Sequence, residues 1–455
     1  MHSASTLGSK ILRDSSFRVF ANIVQLFTSL ALGVFAVRLL GATGKGQLYL
    51  VIQTATLGSR LMGMGLGPSY QYHYTKNLLN RSSILWHVII TILISITLIL
   101  IIYVWGEPLL HWILGAALSQ ALILIACLAV PLNLALLFFA SLLYAQDQGI
   151  KIGSMYSVLG SLVNLLMLFI LVSGLHLHTM GAALAYLLGM LIQFVPIAIL
   201  VWRKTLPWPP PKLLPLILNY SETTPPLLKY GTQFLISGIM VSSVFRIDVF
   251  LVNSMAGTFQ LGLYSIAVAF AELVLLIPNA LGSVLFARLP GLAATEQTQI
   301  MLKSVRTTVT LAILVGILVG AFAHLAIEHL IGIKYISALV PLWLLIPGLV
   351  FMSVNYVFAN FFAAQGTPML TAFAFSVGLV LDILIDLFII PRAGIAGAAI
   401  ASSVSYFAVS MILARIIRKR TGTRWADLFL LKSQDIKTMR TAIASVLRRS
   451  SKSIG

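Results

Sequence analysis

Residues 84–103 read ILWHVIITILISITLILIIY, and this one stretch decides the class of fold. It is apolar almost throughout, with no period of two, whereas the strand of a membrane barrel alternates apolar and polar residues over about ten positions. A run of roughly 18 to 20 apolar residues is what a helix needs to cross a bilayer, and such runs recur along the whole chain between short polar or Pro/Gly breaks. Of the 455 residues, 59% are hydrophobic and 9% charged, and the mean hydropathy is +1.00. A soluble globular chain carries about one quarter charged residues, so a water-soluble fold is excluded.

The hydrophobic pattern predicts an all-α membrane protein with helices over 17–40, 48–70, 84–105, 117–144, 152–175 and 180–202, then 230–255, 261–287, 305–331, 338–364, 369–390 and 395–417. Twelve spans put both termini on one side. The expected organisation is a cytoplasmic start (1–16), an N-terminal lobe (17–202), a cytoplasmic linker (203–229), a C-terminal lobe (230–417) and a basic tail (418–455).

The net charge of +18 would suit a nucleic-acid partner if it were spread over a folded surface, but its placement argues otherwise. With the N-terminus inside, the cytoplasmic segments hold 24 Lys and Arg, the external loops four (Arg38, Lys45, Lys334, Arg392) and the membrane two (Arg60, Arg246). Without the 11 charges of the tail from Arg415 onward, the balance is still 13 to four, and the positive-inside rule sets the orientation. The first apolar segment is interrupted by Asn22, Gln25 and Arg38 and is followed by no small-residue cleavage pattern, which reads as an uncleaved first helix. Cys127, the single cysteine, falls inside the fourth span and forms no intrachain disulfide.

The chain repeats itself at an offset of about 216 residues. Leu48-Tyr49 matches Leu263-Tyr264, Pro131 matches Pro347, Ala145-Gln146 matches Ala364-Gln365, and Gly160 matches Gly378. Most specific is Gly181-Ala182-Ala183-Leu184-Ala185 against Gly397-Ala398-Ala399-Ile400-Ala401. Six helices per half make both halves enter the membrane in the same sense, so the pseudo-twofold axis lies along the membrane normal. Transporters built this way place the substrate between the halves near mid-membrane and alternate access by rocking. The linker segment Pro207-Trp208-Pro209-Pro210-Pro211-Lys212 reads as a stiff spacer.

Three segments resemble polysaccharide-export flippases of the multidrug/oligosaccharidyl-lipid/polysaccharide (MOP) superfamily. They are Arg38-Leu39-Leu40-Gly41 with Leu48-Tyr49 and Gly63-Met64-Gly65-Leu66-Gly67; Ile247-Asp248 with Gly262-Leu263-Tyr264-Ser265-Ile266-Ala267; and Ile389-Ile390-Pro391-Arg392 with Gly394-Ile395-Ala396-Gly397-Ala398-Ala399. Many members carry an acid just before the glycine run, where this chain has Leu61-Met62. The resemblance implies a V-shaped twelve-helix protein of the cell inner membrane, not an enzyme. Such a protein moves undecaprenyl-pyrophosphate-linked oligosaccharide from the cytoplasmic to the periplasmic leaflet. Its surroundings would be bilayer lipid, with a glycan polymerase and chain-length machinery as further partners and no nucleic acid. The alternative is a MATE-like cation-coupled antiporter for small organic molecules. That site would be acidic and aromatic, whereas two buried arginines suit an anionic cargo.

Charges within spans carry the candidate chemistry. Arg60 and Arg246 can hold a pyrophosphate by bidentate hydrogen bonds, with Asp248 beside them as a third substrate-site residue; the structural reading pairs Arg246 with Asp248 or Glu272. Glu272, Asp382 and Asp386 can carry a proton or sodium ion for coupling, the only cofactor expected. Against that, Asn164 is the repeat partner of Asp382, which favours hydrogen bonding between helices there. His324, Glu328 and His329 match no zinc spacing, and Gly41-Ala42-Thr43-Gly44-Lys45-Gly46 is not a P-loop, because Lys45 precedes a glycine. In the tail, Ile436, Met439, Ile443 and Val446 lie at helical spacing among basic residues, as in an amphipathic helix on an anionic leaflet or in a disordered anchor.

Overall fold

The computed structural model describes residues 2–63, 118–144, 149–205, 235–275 and 294–430, together with 66, 88–89, 91–97, 99–100, 104 and 232. Most of the third expected span, the proline linker and the tail helix lie outside the described residues. Within them the chain is helical. The N-terminal elements are α1 (His2–Met62), α2 (Gln120–Tyr144), α3 (Gly149–Leu168) with a π-helical end (Phe169–Gly174), and α4 (His178–Thr205). The C-terminal elements are α5 (Ile247–Ala256), α6 (Thr258–Ala271), α7 (Ala294–Ala326), α8 (Leu339–Ala364), α9 (Pro368–Thr421) and a short α10 (Trp425–Phe429). Among the described residues nine helices are long and apolar enough to cross a membrane. Two of them, α1 and α9, each hold two expected spans, so every span but the third is accounted for.

Both double spans turn on a glycine with positive φ: Gly41 (φ 72°, ψ −179°) in α1 and Gly394 (φ 56°, ψ −137°) in α9. A side chain there would meet its own backbone, so glycine marks the corner. The repeat is visible in these corners. Gly257, 216 residues after Gly41, has φ 86° and ψ 167° and separates α5 from α6 in the same way.

Helices α1 to α4 pack on one another, and α5 to α9 do the same, which makes two bundles. The chief junction between them is α1 against α6. There Gly46 lies against the carbonyl of Thr258 and Gly262 against the carbonyl of Ala42, so that a methyl group at either glycine would overlap the facing backbone. Gly46 and Gly262 are 216 residues apart, and so are Ala42 and Thr258. The contact is therefore reciprocal, and the pseudo-twofold axis passes through a crossing of two repeated helices whose small residues allow backbone-to-backbone approach. Arg38 Nη2 donates to the carbonyl of His329 (2.9 Å), and the Tyr335 hydroxyl donates to the carbonyl of Val37 (3.3 Å), tying the same end of the two bundles together.

Within each bundle the repeated glycines have the same use. Gly160 of α3 lies against Gly189 of α4, each within 3 Å of the other's carbonyl if given a methyl group, and Gly378 accepts a hydrogen bond from Ser405 across the equivalent hairpin of α9 (2.7 Å). Large apolar side chains face outward along α7, where Ile313, Leu314, Ile317, Leu318, Phe322 and Leu325 are all exposed. On a soluble protein such a stripe would be an aggregation surface; on a spanning helix it is the face against lipid. Cys127 is buried.

Candidate functional site

Between the bundles lies a cavity of about 460 Å3 lined by Thr56, Leu57 and Arg60 of α1; by Val241, Ser242, Phe245 and Arg246 of the helical segment leading into α5; by Glu272 and Leu275; and by Tyr356 of α8. Two of its polar residues, Arg246 and Glu272, stand where the helices are irregular. The helical run from Leu235 is interrupted at Phe245-Arg246, where the Arg246 N–H bonds to Ser243 three residues back (3.1 Å), and α5 begins afresh at Ile247 with Arg246 as its cap (φ −141°, ψ −6°). Glu272 begins the 3-10 turn Glu272–Leu275 that ends α6. Broken helices are tolerated at membrane depth where they line a cavity, and they aim polar groups into it.

The two arginines predicted from the sequence come together here. Arg246 donates through Nη1 to Glu272 Oε1 (2.7 Å) and to the Tyr49 hydroxyl (3.2 Å), and its guanidinium lies 4.4 Å from the centre of the Phe245 ring. Side-chain exposure is 19% for Arg246 and 30% for Glu272, so the ion pair faces the cavity and is not sealed in a core. Arg60 donates to Ser242 Oγ at 2.6 Å, and among the described residues no carboxylate lies within ion-pair distance of it. Two guanidiniums and one carboxylate leave the lining with a surplus positive charge.

The expected acids separate. Glu272 belongs to the cavity and is the partner of Arg246. Asp248 does not line the cavity: it is 4% exposed, accepts from the backbone N–H of Val249 (2.8 Å) and receives the Tyr264 hydroxyl at 2.5 Å. Two residues beyond Arg246, it points into its own bundle because successive helical side chains turn by about 100°. Asp382 and Asp386 are fully buried in α9, and among the described residues none of their carboxylate oxygens has a hydrogen-bond partner. The interhelical hydrogen bond that Asn164 suggested for Asp382 is therefore not made. Helix α5, which carries Asp248, packs on α9. His324 and Glu328 form an exposed pair at 3.4 Å, and among the described residues no group of three His, Cys, Asp or Glu is placed to hold a metal.

Sequence reasoning missed Tyr49, Ser242, Phe245 and Tyr356. A signal existed for one of them. Tyr49 and Tyr264 are repeat counterparts, and the structure gives them parallel duties, Tyr49 accepting from Arg246 and Tyr264 donating to Asp248. Nothing in the local sequence distinguishes Ser242 or Tyr356 from other polar residues of spanning helices.

Comparison with known proteins agrees with this architecture. The family described as "Polysaccharide biosynthesis protein" matches residues 11–293. Among solved structures, the chain is similar to the lipid II flippase MurJ in an inward closed conformation (15% identity, TM-score 0.69, 90% of this chain and 89% of that one). It is also similar to an inward-facing multidrug resistance MATE family transporter (15%, 0.62, 89% and 98%), and to a MOP superfamily transporter from Pyrococcus furiosus (16%, 0.61, 90% and 95%). At these identities the likeness is one of fold. No curated protein matches the chain in sequence. With the family profile over more than half its length, the chain belongs to the polysaccharide biosynthesis protein family, and over nearly all of its length it shares the fold of these transporters.

Proposed function

We propose that this protein carries an undecaprenyl-pyrophosphate-linked oligosaccharide from the cytoplasmic to the periplasmic leaflet of the inner membrane by alternating access, with both termini cytoplasmic. The supporting observation is the sign of the cavity: Arg60 and Arg246 outnumber Glu272, and Arg60 has no carboxylate partner among the described residues. A sugar hydroxyl taken into hydrocarbon without a partner costs roughly 2 to 7 kcal/mol and a bare pyrophosphate far more, so a polar passage is required. Guanidinium forks match phosphate oxygens in shape and charge. An exporter of organic cations on the same fold would need an acidic surplus at this place, and the surplus is basic.

Coupling to an ion gradient belongs to the C-terminal bundle. Four buried carboxylate oxygens of Asp382 and Asp386 without hydrogen-bond partners are tolerable only as protonated acids or as ligands of a cation, since isolated buried carboxylates are too costly to keep ionised. A proton or a sodium ion taken up there would bias the rocking of one bundle against the other. Glu272, held by Arg246, is assigned to the cavity instead.

The test is reconstitution. Purified protein in liposomes carrying a lipid-linked oligosaccharide should move the head group across the bilayer, and Arg60→Gln with Arg246→Gln should abolish movement while leaving a folded, monodisperse protein. Unchanged flipping by the double variant would refute the phosphate role of the two arginines.

A further inference from the structure

The two cavity arginines do more than face the space between the bundles, because each of them crosses it. Arg60, on α1 of the N-terminal bundle, donates to Ser242 Oγ of the C-terminal bundle at 2.6 Å. Ser242 gives its one hydroxyl proton to the carbonyl of Gly238 (2.7 Å), so toward Arg60 it acts purely as an acceptor. In the opposite direction, Arg246 of the C-terminal bundle donates to the Tyr49 hydroxyl of α1 at 3.2 Å. These two bonds lie deeper than the Gly46–Gly262 crossing and join the same pair of bundles. In both, the donor is a cargo-binding candidate and the acceptor is a neutral hydroxyl.

We infer that Tyr49 and Ser242 form a latch that the anionic cargo releases. The inference rests on the diphosphate reading of the cavity. A phosphate oxygen carries negative charge and can be gripped by two parallel N–H groups of one guanidinium, which makes it a stronger partner than the single neutral hydroxyl that each arginine holds here. A diphosphate entering the cavity therefore draws Arg60 from Ser242 and Arg246 from Tyr49. These two bonds between the bundles are lost when the cavity is loaded, and an unloaded protein keeps them beside the contacts of Arg38, Tyr335 and the glycine crossing. Tyr49 and Ser242 are positioning residues in this scheme: they hold the arginines until cargo arrives and do not touch the cargo themselves. Glu272 stays beside Arg246 and keeps the guanidinium oriented toward the cavity in the latched state.

The experiment uses full-length protein in nanodiscs with Cys127→Ala, and spin labels at Leu177→Cys and Ile333→Cys, exposed residues of the two bundles. The probe is a farnesyl diphosphoryl glucose, a water-soluble diphosphate diester. In the otherwise unaltered protein the probe should broaden or lengthen the inter-label distances. Tyr49→Phe with Ser242→Ala should do so without probe, and should bind the probe about three- to tenfold more tightly, since no latch must open first. Ser242→Thr, which keeps the hydroxyl, should behave as the parent.

Distances and affinity that both stay at parental values in the double variant overturn the latch. Weaker probe binding overturns it too, since Tyr49 and Ser242 would then be cargo ligands. If the double variant shifts the distances while the probe neither binds the parent nor depends on Arg60, the release by diphosphate is wrong and so is the cargo assignment. If the probe binds through Arg60 and the distances never move, the cargo assignment stands and the latch falls.

Discussion

Alanine at Gly46 and Gly262 should open the end of the molecule at which the two repeats cross. At either position the new methyl group would overlap a backbone carbonyl of the facing helix, Thr258 in one case and Ala42 in the other. Even the milder contacts are tight: the methyl of residue 46 would lie 2.9 Å from the Gly262 nitrogen, and that of residue 262 would lie 3.0 Å from the Ala42 Cα, against 3.4 Å for ordinary contact. Backbone cannot rotate aside as a side chain can, so α1 and α6 must separate. Overpacking of this kind costs about 1–3 kcal/mol. If access alternates as proposed, this crossing parts in the opposite state and the cost falls on the present state alone. It then shifts the equilibrium between states about 5- to 150-fold. The assay is the rate at which a membrane-impermeant thiol reagent, added from the side of the crossing, modifies Thr56→Cys in the cavity of a Cys127→Ala background. Gly33→Ala, where a methyl group meets nothing within 4 Å, is the control. Faster labelling in Gly46→Ala and Gly262→Ala, with Gly33→Ala at the parental rate, is the expected outcome. The reasoning fails if the Gly46/Gly262 double variant stays folded and labels no faster than the control.

Three other outcomes follow from single contacts. Tyr264→Phe removes the hydroxyl that Asp248 accepts inside the C-terminal bundle, and should lower stability by about 1–3 kcal/mol, read as a fall in melting temperature with diphosphate-probe affinity unchanged. Asp382→Asn and Asp386→Asn remove carboxylates that lack hydrogen-bond partners; both should leave the protein folded while flipping loses its dependence on an imposed proton or sodium gradient, which proteoliposomes with and without the gradient would reveal. His178 has a positive φ of 45° at the position whose repeat counterpart is Gly394, so His178→Gly should be neutral or raise stability by up to about 1 kcal/mol in thermal unfolding.

The spans were legible because crossing a bilayer is a local demand: each segment must be apolar for about twenty residues whatever its neighbours do. Gly41 and Gly394 stand near the ends of expected spans for the same local reason, a tight corner that a side chain would obstruct. The repeat was legible as well, and Gly160 and Gly378 were recovered with equivalent packing duties. Arg60 and Arg246 stood out because an intramembrane charge is costly enough to need a purpose.

Partner choice was not legible. Asp248, next in sequence but one to Arg246, is turned into the bundle and bonded to Tyr264, while Glu272, 26 residues away, makes the ion pair. Asp382 looked from the repeat like a hydrogen-bonding residue and, among the described residues, is without such a bond. Arg60 finds Ser242 across 182 residues of chain.

Hydrophobic length, charge asymmetry and repetition are properties of a strand of sequence, and those alone determined that this is a helical membrane protein in two related halves. Which polar side chains share the cavity depends on where helices from different halves cross and where they break, at Phe245-Arg246 and at Glu272. Those positions are set by backbone contacts such as Gly46 with Thr258. Only the tertiary structure decides them, because the energy of an ion pair or a hydrogen bond depends on ångströms of separation that no local pattern encodes.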